Sequence, residues 1–217
     1  MHFDPLIFLI YPIVLWSLVV HEWAHAWVAL RHGDPTARDQ GRLTWNPFRH
    51  IDSIGSALLP IVLLLTQAPL PFGWARPAPI DHALLARPRR DAIRVAVAGP
   101  AANALLAMLF ALAAHSMSEV GPLAPLRAAA VAGVTWNCAL ALFNLVPVPP
   151  LDGWRVAAHF LRLRHIVAMQ HFRLAALALV VALACLPPAR GMFVAFLDGA
   201  VGTCFGLVGA SPPVGVR

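Results

Sequence analysis

Lysine is absent from this sequence, glutamate occurs only at Glu22 and Glu119, and charged residues of every kind make up 12% of the 217 residues. So little charge, against 59% hydrophobic residues and a mean hydropathy of +0.71, excludes an ordinary soluble globular domain and makes a membrane class the starting point. The three cysteines, Cys138, Cys185 and Cys204, lie in apolar stretches without CxxC spacing. That spacing excludes a cysteine metal site and a disulfide framework, and leaves small core residues. No Ser/Gly-rich linker, repeat or low-complexity tract divides the chain, so residues 1–217 read as one membrane-embedded domain. No arginine precedes Arg31 and Asp4 stands near the start. The first apolar run therefore lacks the basic head of a signal peptide and reads as a retained span, although Ala24-His25-Ala26 imitates a cleavage site.

What the chain has in quantity is apolar runs. Leu6–Leu30, Ala92–His115, Ala128–Val146 and Ile166–Leu186 each reach the length a helix needs to cross about 30 Å of hydrocarbon. Ile54–Gln67 and Met192–Val208 are shorter or richer in glycine. The formal charge of +6 comes from arginine alone. Nine arginines fall between Arg31 and Arg94 and four more between Arg155 and Arg173, whereas only Arg127 and Arg190 occupy the other connections. This asymmetry places the N-terminus and the two short loops outside, and the Arg-rich segments in the cytoplasm. Those segments flank spans and carry few stacking aromatics, which favours anchoring at lipid headgroups over nucleic-acid binding. The expected fold is an all-α polytopic membrane protein of about five to six membrane helices.

Ile54–Pro79 is flanked by arginines on both sides, so both of its ends belong in the cytoplasm. Its helical part, roughly residues 55–67, rises only about 20 Å. A re-entrant hairpin fits better than a span, with the proline-rich return leg after Ala68 running extended. Non-helical backbone at membrane depth is tolerated only against protein or a wet cavity. The leg is therefore expected beside a functional site, where unpaired backbone could add a strand to an incoming peptide, or else as a surface loop at the headgroups.

His21-Glu22-Trp23-Ala24-His25 is an HExxH motif at the end of the first run. On a helix, positions i and i+4 differ by about 40°, so both imidazoles can share one zinc, and Glu22 stands beside them as a general base. By composition such a motif arises by chance in roughly one sequence in two hundred and forty. Ionisable side chains within an apolar helix mark a functional site by default, the alternative being interfacial histidines near a helix end. Catalytic zinc takes three protein ligands and an open position. Position 31 is arginine, which excludes the third histidine of the long soluble signature, and Glu119 lies beside an outside turn most of a bilayer away. Asp152, after the proline-broken end of the Ala128–Val146 run, remains, with helix capping as its competing role.

HEWAH paired with Asn144-Leu-Val-Pro-Val-Pro-Pro-Leu-Asp152-Gly153 resembles the signature of the site-2 protease family of intramembrane zinc metalloproteases. Ala98-Gly-Pro-Ala-Ala-Asn103 resembles the family's GPxxN segment. Gly33-Asp-Pro-Thr-Ala37 and Gly73-Trp-Ala-Arg-Pro77 are similar to its compact bacterial branch. The resemblance implies one Zn2+ per chain held by His21, His25 and Asp152, with Glu22 as general base. It implies that Asn144 orients the substrate or the oxyanion, that Gly73 and Trp74 contact substrate, and that Gly99, Pro100 and Asn103 support the core. The implied activity is cleavage within transmembrane substrates, at a site near the cytoplasmic face of a bacterial inner membrane. The catalytic core would occupy about 6–165 and C-terminal helices about 166–209. No room exists between Ala92 and Gly153 for an inserted PDZ module, so substrate selection falls to the membrane domain or an adaptor protein. The alternative is a metal-binding membrane protein without protease activity, such as a transporter.

Overall fold

The computed structural model describes residues 6–58, 75–161 and 186–211, together with 172 and 175. All regular structure among them is helical. Helix α1 covers Ile7–Arg31, α2 Thr36–Asp39, α3 Pro88–His115, α4 Ala124–Asn144, α5 Asp152–Ala158 and α6 Pro187–Leu207, with short helical turns at Pro47–Arg49 and Ser53–Leu58. Four helices are long and apolar enough to cross a membrane: α1 from Phe8, α3, α4 and α6. The all-α polytopic architecture expected from the apolar runs is thus present. Most of the run Ile166–Leu186, and residues 59–74 of the segment expected to re-enter, with Gly73 and Trp74, lie outside the described residues.

Proline sets the helix starts. Pro88, Pro125 and Pro187 all stand in first turns, where the missing N–H has no intrahelical partner to lose. This corrects one boundary. The last apolar run, counted from Met192 as shorter and richer in glycine, belongs to a helix that begins at Pro187 and reaches 21 residues because Pro187-Pro188 open it. The start of α3 is also tied down by Asp91, which accepts the Arg87 N–H at 2.8 Å and an Arg94 bond at 2.9 Å. His32, just past α1, lies 3.5 Å from the same carboxylate, so Asp91 joins the end of α1 to the start of α3.

The spans pack through small residues. Ala107, Ala111 and Ala114 of α3 meet Ala130, Val134 and Cys138 of α4 and Val201, Cys204 and Phe205 of α6 in one buried cluster. Lipid tails are as apolar as side chains, so helices in a bilayer associate by close contact rather than by expelling water. Gly133 marks the closest point, since a Cβ there would stand 2.7–2.9 Å from the Phe110 ring. Substituting Gly133→Leu should overpack the seam between α3 and α4 and cost about 1–3 kcal/mol. The thermal midpoint of purified protein in detergent checks this: it should fall, and an unchanged midpoint would show that the seam can open without cost.

Candidate metal centre

His21 and His25 lie one helical turn apart on α1, both buried. Asp152 opens α5 and is also buried. It reaches the histidines because the chain turns sharply after α4. Gly153 packs so closely on the backbone of Leu145 and Val146 that a Cβ there would collide with it. The capping role that competes for Asp152 is not the one adopted. The N-cap of α5 is Leu151, without a side-chain cap bond, and the Asp152 carboxylate turns to the histidines instead.

Three atoms converge: His21 Nε2, His25 Nε2 and Asp152 Oδ2 lie 3.1 Å from one another in every pair. A tetrahedral zinc with ligands at about 2.0–2.1 Å places neighbouring ligand atoms about 3.3 Å apart, so the spacing suits that ion. Proton inventory points the same way. His25 Nδ1 is 2.6 Å from the Val95 carbonyl, an acceptor only, so the ring proton sits on Nδ1. His21 Nδ1 is 2.5 Å from Asn103 Oδ1. Asn103 Nδ2 donates to Asn137 Oδ1 at 2.9 Å, and Asn137 Nδ2 donates to the Gly133 carbonyl and to Ser17 Oγ, both at 2.9 Å. The Gly133 carbonyl can only accept, which fixes Asn137, then Asn103, and finally the proton on His21 Nδ1. With each Nδ1 proton turned outward, a neutral ring at either position directs an Nε2 lone pair towards the carboxylate. Three acceptors facing each other in a buried space repel unless they share a cation, and the set fits zinc with a fourth position left open.

Gly99 makes room for this. A Cβ at Gly99 would run into His25 Nε2 and lie 2.6 Å from His21 Nε2, so only glycine lets α3 approach the imidazoles. Next to it Pro100 lies inside α3, where it withholds an N–H from the helix ladder.

Glu22, between the histidines, is partly buried, and its Oε2 accepts the Ala78 N–H at 2.8 Å. The end of the proline-rich leg therefore touches the site through Ala78, while Arg76 and Pro77 stay exposed. Residues 75–80 are non-helical, and Ala78 packs with Ala26 of α1 and Ala37 of α2. Backbone accounting limits one expectation about this leg. Of positions 76–79, Pro77 and Pro79 have no N–H, Arg76 donates to the His50 carbonyl at 2.8 Å, and Ala78 donates to Glu22. These four positions have no spare donor for an incoming strand, so strand addition would fall to carbonyls or to the segment containing Gly73 and Trp74.

Asn144 is half-buried at the last residue of α4, and its Nδ2 donates to Leu140 in its own helix at 3.0 Å. No bond among the described residues ties it to the three converging groups. Glu119, set aside on topological grounds, pairs with Arg127 at 2.8 Å, away from the triad. The sequence argument missed Ser17 and Asn137. A signal existed for Asn137, a polar residue two turns before Asn144 within an apolar run, but its partners stand on other helices and cannot be named from spacing.

Second-tier partners of metal-bound histidines typically carry 10–100-fold in metal affinity. Asn137→Leu should free the Asn103 amide to rotate, loosen His21 and weaken zinc binding by roughly tenfold or more. Zinc titration of metal-stripped protein checks this, and unchanged affinity would show that Asn137 serves only helix packing.

Comparison with known proteins gives an independent result. The Bacillus subtilis protein named "Putative zinc metalloprotease YwhC" is 38% identical over 164 residues, 69% of this chain and 71% of that protein. "Putative zinc metalloprotease Rip2" of Mycobacterium tuberculosis is 31% identical over 181 residues, 82% of this chain and 66% of its own length. Rip2 of Mycolicibacterium smegmatis is 34% identical over 140 residues, and the chain spans only 52% of it. No family model and no solved structure matches. Identity at this level over more than two thirds of both this chain and the Bacillus protein, in a chain of membrane-length helices carrying a buried two-histidine, one-aspartate cluster, is shared descent: the chain belongs to the site-2 protease family of zinc metalloproteases.

Proposed function

We propose that this protein is a zinc-dependent endopeptidase that hydrolyses peptide bonds within the transmembrane segments of other membrane proteins. The observation that supports this reading is the position of the triad within a helix long and apolar enough to span. Counted along α1 from Arg31, where the span ends, His25 lies about 9 Å inward and His21 about 15 Å. A peptide bond reaching these groups has left the headgroup region. By the arginine asymmetry, that end of α1 faces the cytoplasm of a bacterial inner membrane.

When bound, zinc held by His21, His25 and Asp152 supplies Lewis-acid activation of water and of the scissile carbonyl. The remaining tasks belong to the chain. Glu22 takes the proton from the attacking water and passes it to the leaving amine, with Oε2 steadied by the Ala78 N–H and Oε1 carrying the proton. Asn103 and the Val95 carbonyl hold the two imidazoles in the tautomer that leaves Nε2 for the metal. Asn144, at the end of α4, is placed to meet a substrate strand or the developing oxyanion. A helical peptide bond is hydrogen-bonded and dry, so the substrate must unwind, and the non-helical backbone of 75–80 beside Glu22 offers a surface along which it could. The substrates are then transmembrane proteins, selected by the membrane domain or an adaptor.

A transporter using the same ligands needs a polar path to both faces. Beyond the Ser17–Asn103–Asn137 group, the outer halves of α3 and α4 close on Ala107, Ala111, Ala114, Ala130 and Val134, which disfavours that reading.

Glu22→Gln should keep its zinc and lose cleavage of a helix-forming transmembrane peptide by about a hundredfold or more, because the base is not a ligand. Asp152→Ala should lose both zinc and cleavage. Retained cleavage in Glu22→Gln would remove the proposed base, and zinc retained at full affinity in Asp152→Ala would remove the proposed ligand.

A further inference from the structure

We infer that Arg42 is a positioning residue for Glu22, acting through the backbone of residues 76–78, an inference that rests on the proteolytic reading above. Arg42 is only 8% exposed although it lies outside the spans. An arginine is buried to that extent only when its guanidinium is used. Here Nη2 donates to the Arg76 carbonyl at 2.8 Å and to the Pro77 carbonyl at 3.3 Å. The next N–H along the chain is that of Ala78, the one that holds Glu22 Oε2. A single guanidinium nitrogen thus pins two consecutive carbonyls directly before the amide that orients the base.

The flanking chemistry leaves this amide little freedom. Pro77 and Pro79 stand on either side of Ala78, fixing φ at both neighbours and biasing Ala78 towards extended backbone. Arg76 N–H on the His50 carbonyl ties down the other end of the three-residue stretch. Arg42 is held in turn from its own backbone, whose N–H donates to the Ala37 carbonyl at 2.7 Å. Ala37 packs against Ala26, one residue past His25, and against Ala78. Residues 26, 37, 42 and 78 therefore form one closed mechanical unit around Glu22. Electrostatics agree: burial and the neighbouring Arg76 pull the Arg42 guanidinium below its ordinary pKa, while the Glu22 carboxylate opposes them. Arg42 reaches Glu22 in two ways, by its charge across space and by the two carbonyl bonds that hold the backbone before Ala78, and only the second fixes where the carboxylate sits. Carboxylate placement bears on the proton-transfer step, and a misplacement of about 1 Å can cost a hundredfold in rate.

The test pairs hydrogen exchange with kinetics on the full-length protein in detergent. Residues 76–80 carry amides only at Arg76, Ala78 and Ile80, so exchange in a peptide covering them reports Ala78 with little background. Arg42→Met should speed exchange of this segment at least tenfold. It should lower kcat on a transmembrane peptide by roughly ten- to a hundredfold, with KM within about twofold and zinc content unchanged. Arg42→Lys, which keeps the charge but not the planar donor fork, should fall between the two. Unchanged exchange in Arg42→Met, or a changed KM with kcat intact, overturns the inference. If Arg42→Met fails to retain zinc, Arg42→Lys decides: faster exchange with lower kcat supports the link, and wild-type values of both overturn it. Wild-type protein that never cleaves while exchange responds as stated refutes the proteolytic reading and leaves the link to Glu22 standing. Cleavage by wild type and Arg42→Met at the same kcat does the reverse.

Discussion

Three acceptor atoms at 3.1 Å from one another, in a buried space, are the constraint on which the rest of this molecule depends. Each imidazole has one proton, and each spends it on the far side of the ring, His21 towards Asn103 and His25 towards Val95. What faces inward is two Nε2 atoms and a carboxylate, a set that a shared cation stabilises. Four local choices follow from it. HExxH spacing puts both rings on one face of α1, Gly99 lets α3 come within touching distance, the proline-broken segment after α4 reverses the chain, and Gly153 permits the tight reversal that delivers Asp152.

The packing around this centre follows membrane rather than aqueous rules. Alanine and glycine, not leucine, dominate the inner seams, because backbones must come close for dispersion to hold helices that no water drives together. Ser17, Asn103 and Asn137 sit in this seam with their side-chain amides and hydroxyl paired, so polar groups that would be costly in lipid instead link three spans to the His21 ring. Helix association and histidine orientation are thereby the same set of bonds, and a change in one is felt in the other.

On the opposite side the site is bounded by chain that is not helical. The leg at 75–80 has lost its ladder partners and replaced them with Arg42, the His50 carbonyl and Glu22. Such backbone is stable near a membrane only because each described N–H from 76 to 79 is satisfied or absent. The same economy that makes the leg stable leaves it fixed against Glu22, which joins the segments between the spans to the proposed chemistry.

By itself the sequence determined the membrane class, the helical architecture and the pairing of His21 and His25 on one helix face with Glu22 beside them, because these follow from composition and from a spacing of four residues within one helix. It also narrowed the third ligand to Asp152, while leaving a helix cap as a rival. Only the tertiary structure decided that point, since whether a carboxylate caps its own helix or crosses to another depends on how α4 and α5 meet, a separation of 127 residues from His25. Asn137, Ser17 and Arg42 were not legible for the same reason: each acts on a group 34 to 120 residues away, and no local periodicity encodes which helices become neighbours.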